Sequence, residues 1–427
     1  MWFLLRIKDV DLIIEHAKQL ATVRGHSDRP AVGPEMEELG IVEDGAVAIT
    51  DGRIVAAGRT NELLNEYTAS ERIDAQGKVV TPGFVDAHAH PVFAGSRESE
   101  LELKIKGAGY IEILQRGGGI LQTVHDTRAA TKDELLRICR QRCTNLLLNG
   151  TTTIEAKSGY GLTLLDEIKS LEVIRELDSE GPTSLVPTFL GAHAVPPEFQ
   201  GKTREYVTLI CEEWIPEIAK RKLALFCDVF CEKGVFEIED SRRILLAGKR
   251  AGLVPRIHAD EFYPLGGAEL AAQVGAVSAD HLLYVSAAGL TEMKRAGVVA
   301  TLLPAAPLTL MLEKYADARR MISEGIPVAL GSDLSPSCWL ENHPLIIALA
   351  CYKLKMTPAE ALTASTINAA HSIMKANEIG SIEPGKKADI VLLSAGDYRF
   401  LGYRLGANIV DTVLKNGRVV VRNGQLA

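Results

Sequence analysis

The feature that most constrains the fold is a repeat of short apolar segments separated by amphipathic helical segments. Between about residues 76 and 384, eight apolar β-type runs alternate with stretches that place Leu and Ile at helical spacing. The runs lie near 83–90, 151–157, 184–191, 225–231, 254–260, 276–281, 298–303 and 327–333. The helical stretches include 131–148, 166–177, 204–220 and 237–252. This alternation is typical of a parallel sheet, and eight units predict an α/β fold, a (β/α)8 TIM-like barrel.

An open doubly wound sheet is the competing topology for this pattern. Such a sheet usually carries a glycine-rich phosphate loop directly after its first strand. The glycine run at 117–119 follows a helical pattern instead of a strand. The sequence therefore favours the closed barrel.

Both ends of the chain carry short strands that are too few to form separate cores. They are predicted near 11–15, 20–23, 45–49 and 53–57, and again near 388–393, 410–415 and 418–421. Asp51-Gly52 and Asn416-Gly417 join neighbouring strands, and such dipeptides are strong hairpin signals. The two groups most simply pair into one small β-sandwich. We expect a composite sandwich of residues 1–75 plus 385–427 and a barrel of residues 76–384.

Composition excludes several classes of partner. The 427 residues carry a formal net charge of −8, which leaves no basic field for a nucleic acid backbone. No apolar run reaches the ~18 residues that span a bilayer, so no membrane partner is expected. The seven cysteines form no Cys-x-x-Cys pair, which together with the lack of a signal peptide predicts a reducing, cytoplasmic location. A small-molecule substrate fits best, and the oligomeric state stays open, with a homodimer among the alternatives.

Histidines and an acid end several of the predicted strands. His88 and His90 are separated by one residue, so on a strand their imidazoles point the same way. His258, His281 and Asp333 end the fifth, sixth and eighth predicted strands, and active sites of barrels lie at the carboxyl ends of their strands. Three neutral imidazoles and one carboxylate with an open position suit zinc or a similar first-row metal. Such an ion would lower the pKa of a bound water toward ~7.

The pattern resembles the metal-dependent amidohydrolase superfamily, whose barrel and split β-sandwich match the predicted fold. The resemblance rests on the run TPGFVDAHAH at 81–90 and on the later residues at strand ends. Within the superfamily, the chain is similar to the imidazolonepropionase family. The matching runs are 91–97 (PVFAGSR), 117–120 (GGGI), 157–161 (KSGYG), 188–195 (TFLGAHAV), 228–232 (DVFCE) and 258–262 (HADEF).

The resemblance implies which residues form the site. One divalent or trivalent metal ion, zinc or iron, would be bound by His88, His90, His258 and Asp333. The substrate would contact Arg97, Tyr110, Tyr160, His193 and Glu261. We interpret Glu261, His281 and Asp333 as the catalytic residues.

The resemblance also implies a reaction. It is the hydrolysis of the ring amide C–N bond of 4-imidazolone-5-propanoate to N-formimidoyl-L-glutamate, in histidine degradation, by a metal-activated water. Arg97 has the planar fork that recognises the carboxylate tail of this substrate. Glu261, three residues after His258, is placed to carry a proton from the water to the departing nitrogen. His281 would stabilise the oxyanion or orient the water.

Each of these assignments has a structural alternative. Arg97 can be a surface arginine, and Asp260 with Glu261 can be a helix-capping pair. His281 can be a further metal ligand or a buried core histidine. The aromatic residues Tyr110, Tyr160 and His193 can simply pack.

Lys157 and three other histidines need separate interpretation. Lys157 ends the second predicted strand, where it is either the carbamylated bridge of a two-metal site or a partner of Glu155. We favour one metal and the pairing with Glu155. Structural roles are expected for His125, His343 and His371.

One segment departs from the family pattern. After the metal-binding aspartate, imidazolonepropionases usually have Asn-Pro-Gly followed by Ser or Thr, whereas here Asp333-Leu334 precedes Ser335-Pro336-Ser337-Cys338. Ser335 still offers a hydroxyl and Ser337 a backbone amide, so both are assigned to the substrate site. The contacts to the substrate ring are expected to differ.

Two other functions fit the same fold. The first is a metal-dependent deaminase of a purine-like or cytosine-like base, because a His-x-x-Glu at the fifth strand also serves that chemistry. An uncharged base, however, gives Arg97 no carboxylate to bind. The second, of another class, is a catalytically inactive barrel that serves as a scaffold.

Overall fold

The computed structural model describes residues 7–107 and 118–427. Contacts divide the chain into two units. The first comprises Met1–Val85, Asn145–Thr153 and Asn342–Ala427, and the second comprises Asp86–Thr144 and Ile154–Glu341. The domain boundaries proposed from the sequence, 1–75 with 385–427 and 76–384, stay a prediction.

An eight-stranded parallel sheet forms the barrel and confirms the predicted fold class. Its strands are Phe84–Ala89, Thr151–Lys157, Ser184–Ala192, Phe226–Cys231, Val254–Ala259, Ser278–His281, Val299–Leu302 and Val328–Leu330. They follow one another around the sheet in chain order. The two ends of the sheet meet where Asp333 N donates to His88 O at 3.0 Å and His90 N donates to Leu334 O at 2.8 Å. The barrel therefore closes beside the histidine pair of its first strand.

Strand burial explains why the barrel strands are continuous apolar runs. Every residue of Phe84–Ala89 and of Thr151–Lys157 is buried, as expected for parallel strands covered on both faces. Glycine is required at Gly331, because a Cβ there would lie 2.9 Å from both N and Cβ of His88. Close packing at the first and last strands thus fixes the backbone of His88.

Helices follow the strands as predicted, with one difference. The helices are Thr60–Glu66, Ser99–Ile105, Ile120–Ala129, Lys132–Leu148, Leu164–Glu180, Thr203–Leu209, Ile215–Lys220, Ile238–Arg250, Gly267–Val274, Ala287–Ala296, Ala305–Thr309, Ala318–Ser323, His343–Leu354, Pro358–Ala364, Ile367–Ser372 and Phe400–Tyr403. The helix predicted over 204–220 is interrupted by a π-helical turn at Ile210–Trp214. Pro216 has no N–H for an α-helical bond to residue 212, which accounts for the wider turn. Within the described part of the chain, no helix combines the length and apolar character needed to cross a membrane.

Strands from both ends of the chain join in one nine-stranded sheet. They are Lys8–Ala21, Ile41–Thr50, Arg53–Arg59, Tyr67–Asp74, Val79–Pro82, Ile390–Leu393, Val410–Lys415, Arg418–Arg422 and Gln425–Leu426. The two terminal groups meet where Val79–Pro82 pairs antiparallel with Ile390–Leu393. Leu12, Val47, Ile390 and Leu414 lie in one shared core, so the two groups form a single folding unit as predicted.

The hairpin signals are confirmed, whereas one strand prediction is wrong. Asp51 and Gly52 have φ values of 51° and 73°, the positive values that two-residue hairpins require. The separate strands predicted at 11–15 and 20–23 are one strand, Lys8–Ala21, with an irregularity between Ile14 and Ala17. His16 adopts φ 59° there, so a β-bulge lies within a continuous strand.

Burial of His343 predicts a loss of stability in acid. Its ring stacks on Phe84 with centroids 5.3 Å apart, and burial lowers its pKa to about 3. In the unfolded chain a histidine has a pKa near ~6.5, so below that pH only the unfolded state takes up this proton and the free energy of unfolding falls. Between pH 7 and pH 5 this residue should cost about 2 kcal/mol.

The measurement is denaturant unfolding of the wild type and His343→Leu at both pH values. The variant should lose less stability than the wild type on acidification, while His125→Gln, which changes an exposed histidine, should follow the wild type. An identical pH dependence for His343→Leu and the wild type would contradict the assignment.

Candidate metal centre

The predicted metal ligands converge at the carboxyl ends of the barrel strands. His88 Nε2 lies 3.1 Å from His90 Nε2, which lies 3.4 Å from His258 Nε2. Asp333 Oδ1 lies 3.6 Å from His88 Nε2 and 3.5 Å from His90 Nε2. Four ligands around one tetrahedral ion at bond lengths of ~2.1 Å are separated by about 3.4 Å. Each of these separations is close to that of two ligands of one ion, and His88, His90 and Asp333 form one group whose donor atoms could hold it.

Carboxylates behind the histidines fix which nitrogen of each ring carries the proton. Nδ1 of His88 lies 2.7 Å from Asp280 Oδ2, and Nδ1 of His258 lies 3.1 Å from Asp228 Oδ2. A carboxylate only accepts hydrogen bonds, so each Nδ1 is the donor and each Nε2 keeps its lone pair. Burial lowers the pKa of His88 and of His90 well below the usual range. Neutral imidazoles with lone pairs directed at one point are the donor set that a zinc-like metal requires.

Two further histidines border the same space. Among the described residues, the groups able to hold an ion also include His88 with His258 and His281, and His90 with His193 and His258. His193 stacks on His90 with centroids 4.9 Å apart and donates from Nδ1 to Gly159 O at 3.0 Å. Gly159 adopts φ +111°, which only glycine adopts readily, and a Cβ there would lie 3.1 Å from His193 Nδ1. His193 is thus held with Nε2 as its remaining acceptor.

Asp333 reaches the site through a strained backbone. It follows the last barrel strand with φ +53°, a left-handed conformation that aspartate tolerates better than most residues. The preceding Ser332 N donates to Asp86 Oδ1 at 2.8 Å. Burial raises the pKa of Asp333 to about 7. A buried carboxylate of this kind gains most from a nearby positive charge.

A layer of buried charges lies beneath the histidines, and sequence reasoning missed most of it. Its members are Glu155, Lys157, Asp228, Arg256 and Asp280, all fully buried. Lys157 Nζ lies 2.9 Å from Glu155 Oε1 and 2.8 Å from Asp228 Oδ2. Arg256 NH2 donates to Asp280 Oδ2 at 3.1 Å. The available signal was charged residues at every second position of apolar strands, which must face the interior of a barrel.

The pairing of Lys157 with Glu155 that the sequence predicted is present. Burial lowers the pKa of Lys157, but the charges of Asp228 and Glu155 outweigh burial and raise it above its usual value. A carbamate at this nitrogen would place a further negative charge among carboxylates. The surroundings therefore favour the ammonium ion over a carbamylated bridge.

Glu261 and Asp260 have different roles, which separates the two alternatives for this pair. Asp260 accepts from the backbone N–H groups of Gly266, Gly267 and Ala268 at 2.9–3.1 Å, so Asp260 caps the following helix. Glu261 Oε1 instead lies 3.5 Å from His281 Nδ1. Burial and the charge of Asp333 raise the pKa of Glu261 well above its usual value, as suits a proton carrier.

Arg97 is not a surface arginine. Its side chain is 8% exposed, and its Nε lies 3.2 Å from Glu100 Oε2. Glu100 is held in turn, because its Oε1 accepts from Gly119 N at 2.6 Å. The guanidinium therefore forms an ion pair with a buried carboxylate. Tyr110, the next predicted substrate residue, lies outside the described residues.

The other predicted substrate residues differ in their contacts. The ring of Tyr160 is buried with its centroid 5.1 Å from that of His193 and 5.9 Å from that of His90. Ser335 Oγ lies 3.2 Å from Ser337 Oγ and accepts from Cys338 N, also at 3.2 Å. Part of the hydrogen-bonding capacity of Ser335 is thus used within its own loop.

The remaining histidines have structural surroundings, as expected. His125 is exposed and contacts Asp126, and Nε2 of His371 hydrogen-bonds His26 O at 2.7 Å. His343 stacks on Phe84. None of the three belongs to a potential metal-binding group among the described residues.

The fold and this site define an amidohydrolase. A sequence profile of the Amidohydrolase family matches residues 261–420. An adenosine deaminase from Xanthomonas campestris, solved with bound zinc, superposes with a TM-score of 0.71 at 18% identity. The alignment covers 99% of this chain and 95% of that chain. At this identity, the superposition shows the shared fold alone.

Comparison with curated relatives identifies the family within this class. An imidazolonepropionase of Brevibacillus brevis is 52% identical over 419 residues, covering 97% of this chain and 99% of the relative. An imidazolonepropionase of Geobacillus kaustophilus is 50% identical over 420 residues, with 97% and 99% coverage. The chain therefore belongs to the imidazolonepropionase family, and it is a hydrolase.

The carboxylate behind His88 predicts an effect on metal affinity. In Asp280→Asn, the amide no longer holds Nδ1–H of His88 or the guanidinium of Arg256 by charge, so the imidazole should lose its fixed orientation. Zinc affinity, measured by competition with a chelator, should fall by about 10–100-fold. Asp9→Asn, a matched change at an exposed aspartate, should leave it unchanged. Equal zinc affinity for Asp280→Asn and the wild type would contradict the role.

Proposed function

We propose that this protein hydrolyses the ring amide C–N bond of 4-imidazolone-5-propanoate and releases N-formimidoyl-L-glutamate. The observation that carries the proposal is about 50% identity to imidazolonepropionases along nearly the whole chain. The site geometry supports it, because a buried arginine and a buried acid accompany the histidine cluster.

We assign the metal to His88, His90, His258 and Asp333. The support is the spacing of their donor atoms and the carboxylates that orient two of the rings. When bound, a zinc or iron ion would lower the pKa of a water molecule and polarise the ring carbonyl. We propose zinc or iron for this site, since both metals accept imidazole and carboxylate ligands.

Glu261 is assigned the proton transfers. Its raised pKa and its position next to His281 suit a group that takes a proton from the attacking water. A bond forms between the water oxygen and the carbonyl carbon, and Glu261 returns the proton to the ring nitrogen as the C–N bond breaks. Glu261 therefore ends the reaction in the protonation state in which it began.

His281 is assigned to the oxyanion that develops on the carbonyl. Burial lowers its pKa well below the usual range, so it is neutral and keeps one N–H to donate. Its backbone has φ 75°, a conformation uncommon for histidine that places the ring at the rim of the barrel. Donors aimed at developing charge are usually the largest single contribution to such catalysis.

Arg97 is assigned to the propionate carboxylate. Its other proposed partners in substrate binding are Tyr110, Tyr160, His193, Glu261, Ser335 and Ser337. Among the described residues, Arg97 contacts Glu100 through its Nε, and we assign the edge formed by its two terminal nitrogens to a bidentate carboxylate. A base without a carboxylate gains nothing from this arginine, so the deaminase alternative has no specific support from the site.

The experiment is turnover of freshly prepared 4-imidazolone-5-propanoate by the zinc-loaded protein, beside ammonia release from adenine, guanine and cytosine. We expect rapid loss of the imidazolone chromophore, formation of N-formimidoyl-L-glutamate and no ammonia from the bases. Removal of the metal by a chelator should abolish turnover, and zinc should restore it. Ammonia release without imidazolone hydrolysis would overturn the proposal in favour of the deaminase.

Glu261→Gln is the matched test of the catalytic assignment within this experiment. It keeps the size of the side chain but removes the proton acceptor, so kcat should fall by about 10²–10⁴-fold while bound zinc stays at the wild-type level. Glu239→Gln, a change at an exposed glutamate on the helix Ile238–Arg250, should retain wild-type turnover. The role of Glu261 would be contradicted if both variants were inactive or if both kept wild-type turnover.

The cellular setting is also a proposal. We infer a cytoplasmic enzyme of histidine degradation that acts without nucleic acid or membrane, either alone or as a homodimer. The support is the acidic composition, with a formal charge of −8, and the family to which the chain belongs.

A further inference from the structure

Arg142 is a buried arginine that the catalytic scheme does not use. It lies in the helix Lys132–Leu148 and is 3% exposed. Its NH1 donates to Pro91 O and to Phe93 O, each at 2.7 Å. These carbonyls belong to the segment that directly follows His90. A guanidinium bound to the carbonyls of residues i and i+2 of one loop fixes the course of that loop.

Other contacts anchor the same segment from two helices. Cys139, one turn before Arg142, donates from Sγ to Pro91 O at 3.2 Å. Ala94 N donates to Thr127 Oγ1 at 3.1 Å. The segment 91–94 is therefore tied to the scaffold at three of its four residues. Arg142 supplies two of these ties and is the charged member, which makes its hydrogen bonds the strongest.

Arg142 also orients an aromatic group at the site. Its guanidinium carbon lies 3.4 Å from the centroid of Phe93 and 4.8 Å from that of Trp339. The Phe93 ring lies edge-on to Tyr160, with centroids 6.0 Å apart at 72°. A cation over an aromatic face stabilises the position of that ring. Arg142 thus acts on a proposed substrate residue through Phe93.

The anchored segment connects the two parts of the site that must be kept at a fixed distance. It begins after His90, a proposed metal ligand, and leads to Arg97, the proposed carboxylate binder. His90 is already placed by the hydrogen bond from its N to Leu334 O, so freeing 91–94 should move Arg97 and Phe93 much more than the metal ligands. A shift of about 1 Å in a binding group can cost on the order of 10²-fold in efficiency.

We propose that Arg142 is a positioning residue that sets the span between the metal site and the carboxylate-binding Arg97, and so determines affinity for substrates with a carboxylate tail. The kinetic part of this inference rests on the proposed function. Its structural part, the anchoring of 91–94, is independent of the substrate.

The kinetic test compares Arg142→Met, Arg142→Lys and the matched control Lys249→Met. Lys249 also donates to a backbone carbonyl, Val274 O at 2.7 Å, but it is an exposed residue of the helix Ile238–Arg250 and is not among the proposed site residues. Arg142→Met should raise KM at least tenfold with a smaller change in kcat and full zinc content. Arg142→Lys, which can restore one carbonyl contact and the cation, should recover part of the affinity. The control should match the wild type.

A double-mutant cycle decides whether Arg142 acts through Arg97. If it does, Arg142→Met combined with Arg97→Met should weaken substrate binding by less than the product of the two single effects. Fully multiplied effects of the two changes would overturn the proposal. So would an unchanged KM together with lost zinc, which is the result expected of a residue that only supports the fold.

Hydrogen–deuterium exchange separates this proposal from the proposed function. In Arg142→Met or Arg142→Lys, amides of residues 92–98 should exchange faster, while those of 254–262 keep the wild-type rate. This outcome requires no turnover, so it stands even if the wild type fails to hydrolyse the imidazolone. Unchanged exchange in 92–98 would overturn the proposal whatever the activity.

Discussion

The structure depends on imidazole nitrogens that are held close together by the carboxylates behind them. Nε2 of His90 lies within 3.4 Å of Nε2 of both His88 and His258. Asp280 and Asp228 hold the rings of His88 and His258 in this orientation by accepting from Nδ1. Burial disfavours protonation of His88. Neutral imidazoles held at this spacing suit coordination of one metal ion.

The layer of buried charges keeps the carboxylates behind the histidines paired with opposite charges. Asp228 and Asp280 would be costly in isolation, but Lys157 and Arg256 contact them directly. Buried ion pairs of this type contribute little net stability, whereas removal of one member leaves an unpaired charge and is strongly destabilising. The layer is therefore better understood as a device that fixes geometry. Its position on alternate residues of neighbouring strands gives the histidines above it a rigid base.

Much of the fold and most of the site could be predicted from the sequence, because both follow from periodicity. Alternating apolar runs gave all eight barrel strands, and strand ends gave the histidines and Asp333. The bulge at His16 and the π-helical turn before Pro216 were missed, since each is a local irregularity inside a continuous pattern. Asp228, Asp280 and Arg256 were missed because their importance lies in contacts between strands distant in the chain. The capping role of Asp260 likewise required coordinates.

The central claim is that one ion is bound by three imidazoles and one carboxylate from three barrel strand ends. The most direct measurement is a crystal structure of the zinc-loaded protein with anomalous scattering at the zinc edge. The account predicts one ion per chain, with Nε2 of His88, His90 and His258 and an oxygen of Asp333 at about 2.0–2.2 Å. An ion bound without His258 or Asp333, or a pair of ions bridged at Lys157, would contradict it.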